Sequence, residues 1–379
     1  MISNRLSKIF TSNFRNIESQ IIDFSLNINC IFGQNGNGKT NLLEAIYFLI
    51  HHKSFRKNTS FIQLLSVDSD KPEMIFSSLF LDENNNKNTY TGKLTPHEQE
   101  WFLNGEVKGK KLESRCVFIG SSDSYLFFNE PQFRRVWFDE AISLIDKEYK
   151  INLSRYEKFL RQRNSLLNKK TEDYLKQIKA IDYEMSKVGF LLWERRQTFV
   201  VELNKSITST FKNIFSEDNH LEINISCKTS YKSAQDLYNI LQQNIVKDEI
   251  LGHTSGGIHR DNYLPLLDGF SSFDFSSLGQ QKMSFLSLVF AYIELFRYKL
   301  GFYPIVLIDD VSGELDRVRW ARLIEYLGKQ KFQVFITTAN ESFQKELEAL
   351  TKAKKIYIQA GEIKEEIQAK SDWQIGHLS

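Results

Sequence analysis

One segment of this 379-residue chain has the residue types and the spacing of a phosphate-binding loop. It matches the pattern G-x-x-x-x-G-K-[ST] at every position, and its members are Gly33, Gln34, Asn35, Gly36, Asn37, Gly38, Lys39 and Thr40. Glycines in such a loop let backbone N–H groups curl around phosphate oxygens without clashes from Cβ atoms. We predict that this loop binds ATP, that Lys39 contacts the β- and γ-phosphates and takes part in catalysis, and that the Thr40 hydroxyl binds Mg²⁺.

The segments on either side of this loop have the patterns that the motif requires. Residues 21–32 are rich in Ile, Phe and Leu with partial alternation, which predicts a strand that ends at Gly33. Residues 41–50 (NLLEAIYFLI) have the pattern of a helix. The alternative is a Gly-rich turn that arose by chance, but such a turn needs neither the strand before it nor the helix after it.

A pair of aspartates later in the chain is the candidate for the metal and the attacking water. Residues 303–310 (YPIVLIDD) form an apolar run that ends in these two carboxylates. We predict that Asp309 holds Mg²⁺ through a water molecule and that Asp310 polarises the water that attacks the γ-phosphate. By itself the pattern also fits a strand with a capped end. Together with the loop at Gly33 it completes one Mg²⁺–nucleotide site.

Residues 276–282 (SSLGQQK) resemble the signature segment of ABC-type ATPases, usually written LSGGQ. Ser277, Gly279 and Gln280 stand at matching positions, and Leu278 stands where a glycine is usual. In that class the signature of one subunit binds the γ-phosphate held by the other, through a Ser hydroxyl, backbone N–H groups and a helix N-terminus. Ser277 and Gln280 also have the spacing of a helix capping box, and the two interpretations are compatible.

Composition bounds the class of protein. Hydrophobic residues make up 41% of the chain, enough for a globular core, and the formal net charge is only +2. Cys30, Cys116 and Cys227 are far apart and form no CxxC pair, as is typical of a reducing compartment. The sequence shows neither a signal-peptide pattern nor the ~20 consecutive apolar residues of a membrane helix. We therefore predict a cytoplasmic protein with no membrane partner.

A cluster of basic residues in one predicted helix is the candidate for binding a polyanion. It consists of Lys150, Arg155, Lys158, Arg161, Arg163, Lys169 and Lys170, and Glu157 is the only acidic residue between positions 150 and 170. Such a face could neutralise several DNA phosphates without reading base sequence. The alternative is an ordinary solvated helix face. No helix-turn-helix or zinc-finger motif is present, so DNA structure would decide binding more than DNA sequence.

The order of the patterns predicts an α/β fold. Residues 137–215 contain no proline and one glycine, Gly189, and their apolar residues recur at helical spacing. Mixed strand and helix patterns precede and follow this stretch. We predict an ABC-type ATPase head with a mixed sheet, formed by residues 1–139 and 251–379, and an inserted, mainly helical lobe at residues 140–250.

Several segments, in this order along the chain, closely resemble the RecF family of bacterial recombination mediators. They are FRN (14–16), GQNGNGKTNLLEAIY (33–47), SFR (54–56), GQQK (279–282) and LIDDVSGELDR (307–317). The sequence departs from the family pattern at Ile258, where a proline usually precedes the run His259-Arg260-Asp261. None of the departures affects a residue expected to bind phosphate.

The resemblance implies an ATP-operated switch. ATP would join two copies head to tail, with the nucleotide enclosed between Lys39 and Thr40 of one copy and Ser277 of the other. This homodimer would bind gapped or junction DNA and, with RecR and RecO, help to load recombinase at single-strand gaps. Hydrolysis would release it, and DNA would stimulate this weak ATPase activity. The hydrolysis would be slow because Asp310 is shorter than the Glu of transporter ATPases.

Three other classes of protein fit the sequence less well. A transporter ATPase subunit would carry a Glu at position 310 and a His in the following strand, but the chain has Asp310 there and Thr337-Thr338 later. A P-loop kinase or small GTPase has no use for the segment 276–282. A binding module with structural ATP is the third alternative, and turnover measurements distinguish it from the switch.

Overall fold

The computed structural model describes residues 5–67, 71–82, 84–107, 114–215, 219–226, 231–338, 341–350 and 352–364. Its strands are β1 (Arg5–Ser12), β2 (Ile21–Asp23), β3 (Ile28–Phe32), β4 (Met74–Leu81), β5 (Lys87–Leu94), β6 (Gln99–Leu103), β7 (Glu106–Val107), β8 (Cys116–Ile119), β9 (Leu221–Ser226), β10 (Asn262–Leu267), β11 (Phe270–Ser271), β12 (Ile305–Asp309), β13 (Val334–Thr338), β14 (Ala353–Gln359) and β15 (Glu362–Lys364).

Its helices are α1 (Lys39–His51), α2 (Phe61–Leu64), α3 (Asp123–Asn129), α4 (Pro131–Ile145), α5 (Lys147–Lys169), α6 (Tyr174–Phe215), α7 (Ala234–Gln243), α8 (Ile245–Leu251), α9 (Ser272–Phe275), α10 (Leu278–Leu300), α11 (Arg317–Gly328) and α12 (Glu341–Glu348). A short 3₁₀ helix covers Ile258–Arg260. No helix in the described part of the chain is long and apolar enough to cross a membrane.

The chain forms two compact units. The first combines Met1–Asp123 with Phe296–Ser379, and the second is Ser124–Leu295. The boundaries predicted from the sequence, after residues 139 and 250, both fall inside the second unit. The reason is that α4 packs against α5 and β10, so elements on both sides of the long helices share one core.

The first unit contains two sheets. One is antiparallel, with strand order β2-β1-β4-β5-β6-β7. The other has the order β15-β14-β3-β13-β12-β8 and is parallel except for the pair β14–β15. The predicted α/β fold with a mixed sheet is therefore confirmed. Because β3, β12 and β13 run in parallel, their carboxyl ends meet at one edge of the sheet, where such folds place their ligands.

Helix α1 lies between these two sheets. It packs against β8, β12 and β13 of the mixed sheet. On its other side the ring of Phe48 stacks on Phe76 of β4, with the centroids 5.6 Å apart, and also contacts Phe14. Apolar side chains on both faces bury most of the helix, which fixes its N-terminus beside the end of β3.

The second unit contains the predicted inserted helices and a small sheet. Helices α5 and α6, of 23 and 42 residues, pack against each other, and α6 also contacts α7 and β9. The antiparallel sheet has the order β11-β10-β9. Phe138 of α4 stacks on Tyr263 of β10 with the ring centroids 3.7 Å apart, which ties the helices to this sheet.

Candidate nucleotide-binding site

The loop of residues 33–40 joins the carboxyl end of β3 to the N-terminus of α1. Gly33 has φ 151° and Gly38 has φ 109°, backbone conformations that residues with a side chain rarely adopt. A Cβ atom at Gly33 would lie 2.4 Å from the Ile358 oxygen, and one at Gly38 would lie 2.9 Å from Asn16 Oδ1. Glycine is therefore required at both positions for the backbone to follow this path.

The N-terminus of α1 is free to receive an anion. Its N-cap is Gly38, which has no side chain to accept from the first N–H groups of the helix, and no acidic residue lies in the first turn. Unpaired N–H groups and the helix dipole together favour a negative group at this end. This end of α1 is therefore suited to a negative group, and its contact with phosphate stays a prediction.

The Lys39 ammonium lies over the loop. Its Nζ donates to the backbone oxygens of Gly33 and Gln34 at 2.6 and 3.0 Å. Burial lowers the pKa of Lys39, while the charges of Asp310 and Asp309 raise it. A cation so placed faces both the loop backbone and the two carboxylates.

Thr40 and Asp309, separated by 269 positions in the chain, meet at the edge of the mixed sheet. The Thr40 hydroxyl lies 3.0 and 2.9 Å from the two Asp309 carboxylate oxygens. Thr337, opposite Asp309 on β13, donates to Asp309 Oδ1 at 2.8 Å. Burial raises the pKa of Asp309, and the hydroxyls of Thr337 and Thr40 oppose this shift. Sequence reasoning missed Thr337, because only the pairing of β12 with β13 reveals its place.

Asp310 is held in a distinct backbone conformation beside this pair. Its φ is 46°, in the left-handed region that Asp tolerates better than most residues. Its N–H donates to Thr337 Oγ1 at 3.1 Å, and the Ser312 hydroxyl donates to its Oδ1 at 3.1 Å. These contacts orient the Asp310 carboxylate separately from that of Asp309.

The donor set fits a magnesium–nucleotide complex. Mg²⁺ prefers oxygen ligands and is usually bound by one or two carboxylates together with substrate phosphates and waters. Thr40, Asp309 and Asp310 supply such oxygens next to the loop. Elsewhere in the described residues no group of three or more His, Cys, Asp or Glu side chains could hold a metal by itself.

A cavity of about 330 Å³ adjoins the loop on the side of β14. It is lined by Gly33, Gln34, Asn37, Tyr357, Ile358, Gln359 and Lys364. Cavities of this size are typical of small-ligand sites. Sequence reasoning missed this cavity, since nothing in the pattern indicates that β14 pairs with β3 beside the loop.

Two segments of the FRN and SFR motifs converge on Glu44 of α1, whose side chain is fully buried. Arg15 Nη2 and Nε donate to its two carboxylate oxygens at 2.8 and 3.0 Å. The Ser54 hydroxyl donates to Glu44 Oε1 at 2.5 Å, and Arg56 Nε lies 3.4 Å from Oε2. One buried carboxylate thus joins two distant loops to the helix that follows the phosphate loop.

A chain of amide contacts extends from this cluster to the phosphate loop. Arg56 Nη2 donates to Asn41 Oδ1 at 2.7 Å, and Asn41 Nδ2 donates to Asn16 Oδ1 at 2.7 Å. Asn16 Nδ2 in turn donates to the Gly36 oxygen at 3.4 Å. The FRN and SFR motifs, which are separate from the phosphate loop in the sequence, are therefore connected to it by hydrogen bonds.

The signature segment lies in the second unit, where Ser277 precedes α10. Ser277 N donates to Gln280 Oε1 at 2.9 Å, and Gln280 N donates to Ser277 Oγ at 3.3 Å. The predicted capping box is therefore confirmed. Ser277 is exposed, its hydroxyl can still donate, and the first turn of α10, which includes Gly279, has no acidic residue. Contact of this end with a nucleotide stays a prediction.

The prediction that Arg163 belongs to a basic surface is wrong. Its side chain is fully buried, with Nε 2.7 Å from Asp182 Oδ1 and Nη1 2.6 Å from Asp248 Oδ2. The position lies on the same stripe of α5 as the buried residues Tyr156 and Leu167. The other members of the cluster are exposed: Lys150, Arg155, Lys158, Arg161, Lys169 and Lys170.

The run His259-Arg260-Asp261 forms part of a polar network in the second unit. His259 Nδ1 lies 3.0 Å from Tyr156 Oη, and its Nε2 lies 3.2 Å from the Thr254 oxygen. Burial lowers the pKa of His259 to about 4, and the charges of nearby arginines add to this. The folded protein therefore holds this imidazole neutral at physiological pH.

We expect His259 to make the stability of the protein fall as the pH drops from 6.5 towards 4. An unfolded histidine takes up a proton near pH 6.5 whereas this one does not until about pH 4, so the unfolded state gains protons within that window. The full contribution is on the order of 3 kcal/mol, of which about 2 kcal/mol is lost between pH 7.5 and 5.0. Urea unfolding of the wild type and His259→Gln at both pH values measures it. An equal difference between the two proteins at both pH values would contradict the expectation.

Comparison with known proteins gives a consistent result. A protein-family model of the RecF/RecN/SMC N terminal domain matches residues 5–122. The DNA replication and repair protein RecF of Thermoanaerobacter pseudethanolicus is 30% identical over 356 residues, which cover 90% of this chain and 95% of that protein. The protein of the same name from Flavobacterium johnsoniae is 29% identical over 343 residues, which cover 88% and 93%.

Solved structures with the same fold include two of the recombination mediator protein RecF in the RecFOR pathway. The one described as RecF-ATPrS has a TM-score of 0.82 at 25% identity, and the one described as RecF-ATP has 0.79 at 28%, each covering 96% of this chain and 99% of the other. A Smc head domain from Pyrococcus furiosus shares the fold alone, with a TM-score of 0.55 at 14% identity. Since relatives at 30% identity match it over most of both lengths, the chain belongs to the RecF family.

Proposed function

We propose that this protein is an ATP-dependent DNA-binding protein of replication and recombinational repair. The observation that carries the proposal is the meeting of Thr40 with Asp309 within 3.0 Å, which joins the phosphate loop to the carboxylate strand. Relatives that match most of the chain are named DNA replication and repair protein RecF, and one similar solved structure is of RecF-ATP.

ATP binds with its phosphates against the loop of residues 33–40 and the N-terminus of α1. Lys39 would neutralise the terminal phosphates, Thr40 would bind Mg²⁺ through its hydroxyl, and Asp309 would hold the same ion through a water molecule. The cavity beside β14 offers room for the nucleoside, with Tyr357 and Lys364 in its lining. This assignment gives each part of the nucleotide a neighbouring surface in the first unit.

ATP binding favours a homodimer in which Ser277 of a second copy contacts the terminal phosphate. Ser277 is exposed, and the first turn of α10 carries no acidic residue, which supports this role. A nucleotide that contacts both copies binds the dimer better than the monomer, and so it shifts the population towards the dimer.

Hydrolysis resets the switch. Asp310, whose contacts with Ser312 and Thr337 support this role, would polarise the attacking water, and Lys39 would stabilise charge on the terminal phosphate. Bound Mg²⁺ would supply further charge stabilisation at the phosphates. The short Asp side chain is the reason to expect slow turnover, so ATP binding rather than hydrolysis sets the working state.

The partner of the ATP-bound dimer is DNA with a gap or junction. The exposed basic face of α5 supports contact with phosphates without base recognition. We propose that the protein acts with RecR, and with RecO, to help load recombinase at single-strand gaps, and its membership of the RecF family supports this proposal.

Sedimentation of the wild type and Lys39→Met tests this function. We expect the wild type to dimerise with ATP and Mg²⁺ and then to bind a gapped duplex, and Lys39→Met to do neither, because a charge-assisted contact worth about 1.5–3 kcal/mol is lost. Lys205→Met, an exposed site on α6, is the matched control and should behave as the wild type. If the wild type binds ATP but stays monomeric and ignores DNA, the proposed switch is wrong.

A further inference from the structure

Arg135 and Arg260 of the second unit are neighbours, because Arg135 Nη1 donates to the backbone oxygen of Asp261, the residue that follows Arg260. Arg163 and Arg196, also in this unit, each contact two aspartates. By contrast, neither Arg135 nor Arg260 has a carboxylate oxygen within 4.0 Å among the residues that the structure describes. This difference sets the pair apart from the structural arginines around it.

Most of the hydrogen-bond donors of this pair are uncommitted. Arg135, half-buried on α4, donates from Nη1 to the Asp261 oxygen at 3.3 Å. Arg260, exposed at the end of the 3₁₀ helix, donates from Nη2 to the Thr254 oxygen at 3.3 Å. A guanidinium group has five N–H donors in a planar fork, so a single long bond leaves most of them for a ligand.

The carboxylates near the pair also lie beside a third arginine, Arg196. Asp139 accepts from Arg196 Nη2 at 2.8 and 3.0 Å and also from the Tyr149 hydroxyl. Asp261 Oδ2 lies 3.7 Å from Arg196 Nη1. The three arginines Arg135, Arg196 and Arg260 thus share two aspartates, so positive charge is left in excess at this place.

The positive charges of the pair act on each other and on their surroundings. Burial lowers the pKa of Arg135, the charges of Arg260 and Arg196 lower it further, and the charges of Asp139 and Asp261 oppose this shift. The neighbouring His259 stays neutral at physiological pH, so it adds no further positive charge. Like charges gathered at a surface repel one another, and an anion between them removes that repulsion.

The backbone that carries Arg260 is tightly placed. Gly257 has φ 118°, and a Cβ atom there would lie 3.0 Å from Tyr156 Oη. Its oxygen accepts from Arg260 N at 2.9 Å, which closes the 3₁₀ helix. A fixed loop of this kind lowers the ordering cost of a ligand that contacts Arg260.

We propose that Arg135 and Arg260 together bind a phosphate group. Two planar guanidinium groups bind a phosphate better than they bind a spherical anion such as chloride, because each group can donate two parallel hydrogen bonds to phosphate oxygens. The proposal rests on the proposed function for the source of that phosphate, which is either the backbone of bound DNA or the nucleotide of a second copy. It adds a phosphate site outside the loop of residues 33–40.

The first test uses inorganic phosphate and does not depend on ATP, DNA or dimerisation. Thermal unfolding of Lys39→Met, whose phosphate loop is impaired, is measured in about 20 mM phosphate and is compared with unfolding in chloride of equal ionic strength. We expect phosphate to raise the melting temperature by about 2–4 °C. The rise should vanish in Lys39→Met/Arg135→Gln/Arg260→Gln and persist in Lys39→Met/Arg195→Gln, which changes an exposed, paired arginine. No phosphate-specific rise, or a rise that survives the triple variant, would overturn the proposal.

The second test identifies the source of the phosphate with Arg135→Gln, Arg260→Gln and their double variant. If the source is DNA, each change weakens binding of a gapped duplex about tenfold and lowers the salt slope by about one, and ATP-driven dimerisation is kept. If the source is the nucleotide of a second copy, dimerisation without DNA falls and ATP binding by the monomer is kept. If Arg135→Gln unfolds, the exposed site Arg260→Gln decides alone. Variants that match the wild type in both measurements would overturn the proposal, whereas a wild type inactive in both would overturn the proposed function only.

Discussion

Replacing Arg163 with methionine is expected to lower the free energy of unfolding by about 3–5 kcal/mol. The guanidinium lies between two carboxylates, at 2.7 Å from Asp182 and 2.6 Å from Asp248, and all three side chains are fully buried. Methionine fills a similar length of space but carries no charge. The two aspartates would then remain inside the second unit without the cation that offsets their burial and mutual repulsion.

The neighbouring contacts increase the expected loss. Arg163 also donates to the Thr254 hydroxyl at 2.9 Å and to the Leu241 oxygen at 3.2 Å. Asp248 further accepts from the N–H and the hydroxyl of Ser255 at 2.9 and 2.6 Å. One side chain thus holds α5, α6, α8 and the loop before the 3₁₀ helix in register, so its removal affects more than one ion pair.

The matched control is Arg161→Met, two positions earlier on the same helix. The Arg161 side chain is 70% exposed, and its ion pair with Glu157 is long, at 3.9 Å. We therefore expect the free energy of unfolding to change by no more than about 0.5 kcal/mol. Urea unfolding followed by circular dichroism compares the two variants. Arg163→Met/Asp182→Asn/Asp248→Asn should recover much of the loss, because it removes the unpaired charges. Equal effects of Arg163→Met and Arg161→Met would contradict the structural role of the buried pair.

The parts of the site that the sequence predicted are those whose chemistry is local. The loop of residues 33–40 needs glycines and a lysine in a fixed order, and the strand before it follows from its apolar residues. Asp309 ends an apolar strand, and parallel strands bring their carboxyl ends to one edge. The meeting of Thr40 with Asp309 at 2.9 Å therefore agrees with what the two patterns imply together.

The parts that the sequence did not predict depend on contacts between distant residues. Arg163 has the same residue type as its exposed neighbours, and only the angle around α5 decides that it faces the core. Tyr357 and Lys364 line the cavity because β14 pairs with β3, more than 300 positions earlier. Strands β9, β10 and β11 have only 6, 6 and 2 residues, and they lie among helices, so the sequence pattern did not reveal the small sheet.

Replacing Glu44 with glutamine is expected to lower the free energy of unfolding by about 3 kcal/mol and to weaken ATP binding about tenfold. Glutamine keeps the shape of the side chain but not its charge, and it can accept through only one of its two terminal atoms. Arg15 would lose one of its bonds of 2.8 and 3.0 Å, and its cation would lose the fully buried carboxylate that balances it.

The effect on ATP follows from the contacts that lead to the loop. Arg56 lies 3.4 Å from Glu44 and donates to Asn41, which donates to Asn16 next to Gly36. A neutral residue at position 44 leaves Arg56 without its anchor, so the amides that border the loop lose a fixed position. Glu44 contacts no expected ligand itself, and it is therefore a positioning residue.

A double-mutant cycle with Arg15 separates this role from general instability. Glu44→Gln, Arg15→Gln and the double variant are compared by urea unfolding and by binding of a fluorescent ATP analogue, with the exposed site Glu18→Gln as the control. Residues that act through one contact are non-additive, so we expect a coupling free energy of about 1.5 kcal/mol or more in unfolding. Because Arg56 rather than Arg15 continues to the loop, Arg56→Gln should reproduce the loss of ATP affinity with a smaller loss of stability. Additive effects of Glu44→Gln and Arg15→Gln, or unchanged ATP affinity in Arg56→Gln, would show that the buried carboxylate does not organise the loop through these arginines.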